Sequence, residues 1–248
     1  MLRVDSLALA YGATPVLEGA SLEVPSGRFV SLVGPSGSGK SSLLRAIIGL
    51  QKPLSGTIET DVGAGEIGML FQDDALLPWR TAEQNVALGL RLKGAPSGTA
   101  IASARQWITR LGLYGLSERF PRELSGGQRK RVALAQVLAR EPQLILMDEP
   151  FASLDAIVRA RVTQDLVRLV ELRGISVLLV THDLEEALAL SDVVYLLSQG
   201  PRARISGRYE VELPRPRDVI KARSHPDFAP LLQRLWNDLS REVGERAA

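Results

Sequence analysis

The chain has 248 residues, 45% of them hydrophobic and 23% charged, with a formal net charge of +2. That length buries a sizeable core, as one α/β domain with an appendage or as two small domains, and the balance is that of a globular protein rather than a disordered one. The positive charge is too mild to argue for nucleic acid, and the absence of cysteine excludes disulfides and thiolate zinc sites.

Residues 1–5 already alternate apolar and charged side chains, so no leader peptide is expected. Apolar runs such as Val193–Leu197 are far too short to span a bilayer, so a membrane would be met through a partner. Residues 2–10 alternate well enough for a strand that Tyr11 and Gly12 end, and 16–24 read as a second strand. With 29–33 they make three early strands before any convincing helix, which predicts an antiparallel β layer beside a nucleotide core. Tyr11 has two open readings: an aromatic that stacks on a purine, or a surface residue at a strand end.

The apolar run 29–33 leads into Gly34, Pro35, Ser36, Gly37, Ser38, Gly39, Lys40 and Ser41, and then into a helical pattern over 42–48. Strand, glycine loop and helix in that order are the context of a phosphate-binding P-loop. The glycines let the backbone wrap an anion that side chains would obstruct, and the N–H groups and the helix start point inward at it. Lys40 is placed to reach the β- and γ-phosphates, and the Ser41 hydroxyl to ligate Mg2+. The chain is therefore expected to bind a nucleoside triphosphate.

Short strands are predicted at Ile58 and over 67–71, the second followed by Gln72, Asp73 and Asp74 and the apolar knot Leu76, Leu77, Pro78 and Trp79. A polar cluster beyond a buried strand lies where α/β proteins hold ligands. Residues 82–92 and 101–111 have helical spacing, so an inserted helical subdomain is expected. Leu124, Ser125, Gly126, Gly127 and Gln128 open a further helix to Arg140, with Ser125 as its N-cap. Two glycines weaken a helix start, and a backbone that must approach an anion would explain them. Arg129, Lys130 and Arg131 read as a solvated basic face, since no aromatic residues are interleaved to suit nucleic acid.

The run 144–147 is apolar enough for a central parallel strand and ends in Asp148 and Glu149. Two acids at the end of such a strand are costly without a cation, which favours Asp148 as a Mg2+ contact and Glu149 as general base. Ser153, Leu154 and Asp155 precede a helix over 156–172. A strand over 176–180 ends at Thr181, His182 and Asp183, followed by a helix over 184–190 and a strand over 193–197. Placement at a strand end, as for Asp148, favours a γ-phosphate contact for His182 over a satisfied core histidine. Gln72, at a third strand end, is a candidate to ligate Mg2+ or the attacking water. From Gly200 the chain is richer in arginine and proline: 213–217 reads as an extended linker and 226–242 as an amphipathic closing helix.

Together these motifs resemble the ATP-binding subunit of ABC transporters, over nearly the whole chain. The resemblance implies an α/β fold: a P-loop NTPase core of mostly parallel sheet, an antiparallel β layer and an inserted helical subdomain. It divides the chain into core residues 1–72, helical subdomain 73–124, core 125–205 and a C-terminal extension 206–248. It implies a head-to-tail homodimer in which each ATP lies between one P-loop, Ser42 included, and Ser125, Gly126, Gly127 and Gln128 of the other copy. Tyr11 then looks like the adenine-stacking aromatic, Glu149 the catalytic base, His182 the γ-phosphate switch, and the loop with Asp155 the link between the two sites.

By the same resemblance, Gln72 to Trp79 would receive a transmembrane permease on the cytoplasmic face of the inner membrane, with a solute-binding protein engaged only indirectly and no nucleic acid. Leu77, Pro78, Trp79, Arg80 and Thr81, the turn at Gly200, Pro201 and Arg202, and 213–217 before His225, Pro226, Asp227 and Phe228 resemble the importers of nitrate, sulfonates and taurine. The competing expectation is a soluble ABC ATPase acting on DNA or ribosomes, which would carry two cassettes or a long coiled-coil insertion. A P-loop kinase would leave 124–128 without a purpose.

Overall fold

In the computed structural model, which describes residues 1–152 and 154–244, the organising element is a six-stranded sheet. Its strands β3 (Phe29–Val33), β5 (Ile67–Leu70), β6 (Leu144–Asp148), β7 (Ser176–Thr181), β8 (Val193–Leu197) and β9 (Ile205–Glu210) lie in the order β5-β6-β7-β3-β8-β9. The first five run parallel, and β9 closes the edge antiparallel to β8. Every residue of β3, β6, β7 and β8 is buried, as the unbroken apolar runs require of strands covered on both faces.

A second, antiparallel sheet is built from β1 (Leu2–Tyr11), β2 (Thr14–Val24) and β4 (Ser55–Thr60), in the order β2-β1-β4. The antiparallel layer is present, but its third member is β4. The fully buried β3 belongs to the other sheet, because alternation in β1 and β2 leaves one face wet and β3 has no wet face.

The two faces of the parallel sheet carry separate cores. On one, Leu144, Leu146, Leu178 and Val180 meet the antiparallel sheet and Leu43, Leu44 and Ile47 of helix α1 (Lys40–Ile47). On the other, Ile145, Met147, Val177 and Leu179 meet helices α4 (Gly126–Leu138), α5 (Ala156–Arg173) and α6 (Leu184–Leu190). Helices α2 (Ala82–Leu92) and α3 (Ser97–Arg110) join this second core through Val86, Ala104, Trp107 and Ile108. Alternate residues of a single strand therefore feed different layers.

The arginine- and proline-rich stretch near 213–217 is docked along its length rather than free. Asp192 takes hydrogen bonds from the Phe29 amide (2.9 Å), Arg215 Nε (3.2 Å) and Arg217 Nη2 (3.2 Å). The Arg217 amide donates to the Glu171 carboxylate, and Gln164 accepts from the Val219 amide (2.8 Å) while donating to the Arg217 carbonyl (2.9 Å). Helices α7 (Val219–Ala222) and α8 (Phe228–Gly244) follow, with α8 burying Phe228 and Leu235. The sequence pattern showed neither α7 nor β9, and β9 carries the core sheet past the 205/206 division. Among the described residues no helix is long and apolar enough to cross a membrane.

Candidate active site

Strand register assembles the site. Val33 pairs with Thr181, and Asp148 with Val180, so the carboxyl ends of β3, β6 and β7 form one edge. The loop from Gly34 to Gly39 leaves that edge and starts α1. Gly37 and Gly39 have φ of +77° and +98°, in the left-handed region that side chains rarely enter. A Cβ on Gly39 would also stand 2.5 Å from Val16 Cγ1, so glycine is required there twice over. Lys40 is buried, and its Nζ donates to the carbonyls of Gly34 (2.9 Å) and Pro35 (2.8 Å), which keeps the ammonium inside the loop. Burial pushes the Lys40 pKa down, against the opposing pull of Glu149 and Asp148.

Ser41 Oγ donates to Asp148 Oδ1 at 2.9 Å, joining the first turn of α1 to the end of β6. Burial pushes the Asp148 carboxyl up; the Ser41 hydrogen bond opposes this, and Glu149 adds to it. Glu149 follows with φ +42°, an uncommon conformation for a residue with a side chain, held by its amide on the Val180 carbonyl (2.9 Å). Its Oε2 lies 3.0 Å from Nδ1 of His182, which is more than half exposed just past β7. Lys40, Ser41, Asp148, Glu149 and His182, drawn from three separated segments, thus converge.

Tyr11 stands at the end of β1 with its ring half exposed and its hydroxyl 3.1 Å from Ser42 Oγ and 3.4 Å from Arg45 Nη1. That tie fixes an open aromatic face beside α1. Gln72 is exposed two residues beyond β5, and its carbonyl accepts from Lys130 Nζ at 2.9 Å.

The segment from Ser125 to Gln128 opens α4 on the opposite face of the sheet from α1. Ser125 and Gln128 form a reciprocal cap there: the Gln128 amide donates to Ser125 Oγ (3.3 Å) and the Ser125 amide to Gln128 Oε1 (2.8 Å). A Cβ on Gly127 would meet Val158 Cγ1 at 2.9 Å, so that glycine has a packing reason inside the chain, whereas Gly126 meets only Arg129 Nη2 at 3.8 Å. Asp155 caps α5 by accepting from the Val158 amide (3.0 Å); Ser153, beside it, lies outside the described residues.

The reading of residues 129–131 as a solvated basic face is corrected. Lys130 is 2% exposed and its Nζ reaches Phe71 O (3.3 Å), Gln72 O (2.9 Å) and Asp74 Oδ1 (3.0 Å). Arg129 Nε takes the other Asp74 oxygen at 3.3 Å, so α4 grips the segment that carries Gln72. Two further residues were not visible in the pattern. Buried Asn85 pins the knot at 76–79, its side chain bonding Leu77 N, Leu77 O, Arg80 O and Thr81 O at 2.7–3.2 Å. Glu186, one turn beyond His182, is buried, and desolvation pushes its pKa up to about 7.

A glycine cradle with an enclosed lysine, closed by a serine–aspartate pair and a glutamate–histidine pair at the ends of parallel strands, defines a P-loop ATPase site. The ABC transporter family model matches residues 17–152. The aliphatic sulfonates import ATP-binding protein SsuB 2 of Agrobacterium fabrum is 43% identical, over 99% of this chain and 91% of that protein. The bicarbonate transport ATP-binding protein CmpC of Synechocystis sp. is 40% identical over 92% of this chain, which spans only 36% of that longer protein. Among solved structures, the ATP-binding cassette MJ0796, in a dimeric post-hydrolysis state bound to ADP and Pi, matches with a TM-score of 0.78 and 31% identity, over 86% of this chain and all of that one.

The chain belongs to the ABC transporter family. It is an ATP-binding cassette of that family, an ATPase by class, and the related cassette structures are dimers.

Two predictions follow from the buried charges. Lys130→Met leaves Asp74 and two carbonyls without their buried cation; it is expected to cost roughly 3 kcal/mol in urea unfolding and to raise hydrogen exchange over 71–74. A solvated lysine would cost less than about 0.5 kcal/mol. The raised Glu186 pKa means that the folded chain holds this proton longer than the unfolded chain, so its contribution to stability falls as pH rises from 4.5 toward about 7. Glu186→Gln should remove that fall, read as a smaller change in urea midpoint between pH about 5 and about 7.5.

Proposed function

We propose that this chain is the ATP-hydrolysing subunit of a membrane importer for a small solute of the nitrate, sulfonate or taurine kind, working as a head-to-tail homodimer. The observation that carries the ATPase reading is the convergence of Lys40, Ser41, Asp148, Glu149 and His182 on one sheet edge. The importer reading rests on relatives of near-full coverage that are import proteins.

ATP would be held by the loop that Gly37 and Gly39 turn through left-handed conformations, with Lys40 toward the β- and γ-phosphates and the exposed Tyr11 ring against the adenine. Mg2+ fits the paired oxygens of Ser41 and Asp148, which are hard ligands; when bound it would neutralise charge developing on the phosphates and hold Asp148 ionised despite its burial. Gln72 is the further ligand in this reading. Glu149 Oε2 accepts the proton as water oxygen attacks the γ-phosphorus and the bond to the ADP oxygen breaks. His182 orients Glu149 through the 3.0 Å contact, and in this reading would contact the γ-phosphate.

Placing α1 and α4 on opposite faces of the sheet supports the dimer, because Ser125 and Gly126 reach a phosphate most simply on a second copy. Gln128 then acts by holding Ser125 in its cap, and Asp155 by fixing the start of α5 at the shared interface. Residues 73–124 form the helical arm. The permease reading rests on Trp79, which is 70% exposed on the knot that Asn85 pins; a cleft of about 230 Å³ lined by Phe71, Ala75, Leu88 and Leu92 opens on the same helical arm. The site would then work at the cytoplasmic face of the membrane, held there by the permease.

Glu149→Gln should retain ATP binding, lose at least about 100-fold in turnover and accumulate an ATP-bound dimer, measured by phosphate release and light scattering. Normal hydrolysis would move the base elsewhere. Trp79→Ala should leave basal ATP turnover within about twofold and abolish transport in reconstituted vesicles; undiminished transport would remove Trp79 from the docking surface.

A further inference from the structure

The strapped C-terminal stretch creates a cleft away from the ATP edge. Between α5 and residues 213–225 lies a cavity of about 420 Å³. Its floor is apolar, from Leu213, Pro216 and neighbouring side chains, and Arg168, Arg217, Lys221 and His225 also line it.

The charges here are not matched. Asp218 is the one acidic residue in the lining, 3.6 Å from Lys221 Nζ; behind the wall Asp192 is shared among Arg28, Arg215 and Arg217, and Glu171 lies 3.8 Å from Arg215 Nε and accepts from the Arg217 amide. Asp227 lies 3.5 Å from His225 Nδ1, outside the lining. Arg168 is exposed and makes no ion pair or hydrogen bond among the described residues. Arg217 is 3% exposed, and its Nη1 is buried without a hydrogen-bond partner among them. A buried guanidinium N–H left unmade costs free energy that an anion would recover. A cavity of this size with an apolar floor and convergent cations has the form of a site for a small organic ligand of opposite charge.

We propose that this cleft binds a small organic anion, a sulfonate or carboxylate group on a short apolar tail, with the charged group at Arg168, Lys221 and Arg217 and the tail on Leu213 and Pro216. The site is separate from the ATP cradle: it sits on the helical face of the sheet, against the middle of α5, where Gln164 holds the Arg217 carbonyl. It does not depend on the importer reading, because occupancy is read by binding alone.

The test is a titration of the full chain with butanesulfonate, followed by amide NMR. Sulfate serves as the charge without a tail, and butylammonium as the tail with the opposite charge. Expected are saturable shifts at Ala222 and at the Gln164 side-chain amide, with butanesulfonate tighter than sulfate and butylammonium silent. Arg168→Ala combined with Lys221→Ala, both exposed and clear of the core, should weaken butanesulfonate at least about fivefold, roughly two surface ion pairs. Lys40→Ala should leave it unchanged. The proposal is overturned if no saturation occurs up to on the order of 10 mM, the weak limit of a specific small-ligand site. It is equally overturned if sulfate binds as well, if the double variant binds as the parent does, or if Lys40→Ala removes binding and so moves the anion to the P-loop.

Discussion

A lysine and an aspartate are buried at one sheet edge, and neither is at ease there. Burial pushes Lys40 toward losing its proton and Asp148 toward keeping one. Each is held by partial measures: two loop carbonyls for the lysine, one serine hydroxyl for the aspartate. A polyphosphate beside Lys40 and a divalent cation beside Asp148 would settle both charges at once, so the cost is met when substrate arrives. The parallel sheet makes this possible, since covering both its faces leaves the carboxyl edge as the place where charge can be presented.

The two-faced sheet also dictates how the rest is arranged. Alternate residues of β6 point into different cores, which sends α1 to one side and α4 to the other. The P-loop and the capped serine–glycine turn therefore lie on opposite faces of the sheet in one chain, and the proposed dimer would use a second copy to bring them to one phosphate. The Lys130 grip extends this order, because it ties the helix that carries Ser125 to the segment that carries Gln72.

Much of this was legible in sequence because it rests on local spacing: the glycine loop between strand and helix, the acids closing the run 144–147, the serine that caps α4. What escaped depends on partners distant in the chain. Nothing around Lys130 announces burial, since its two carbonyl acceptors lie 58 and 59 residues away and Asp74 is equally remote in the chain. Asn85 sits among ordinary helix residues, and only folding shows it pinning the knot. β9 was missed because an edge strand with Gly207 and Arg208 has little alternation and buries one residue, Tyr209. In the sequence Gly127 points only to an anion; its packing reason, Val158 at 2.9 Å from the Cβ it lacks, shows only in the fold.

The central claim is that each ATP is held by two copies of this chain. The most direct measurement is the structure of the Glu149→Gln protein loaded with magnesium ATP. The account predicts a two-fold dimer in which Ser125 Oγ and the Gly126 amide of one copy lie about 3 Å from the γ-phosphate held by Lys40 of the other. A single copy that binds the triphosphate alone, or a dimer with Ser125 remote from any phosphate, would contradict it.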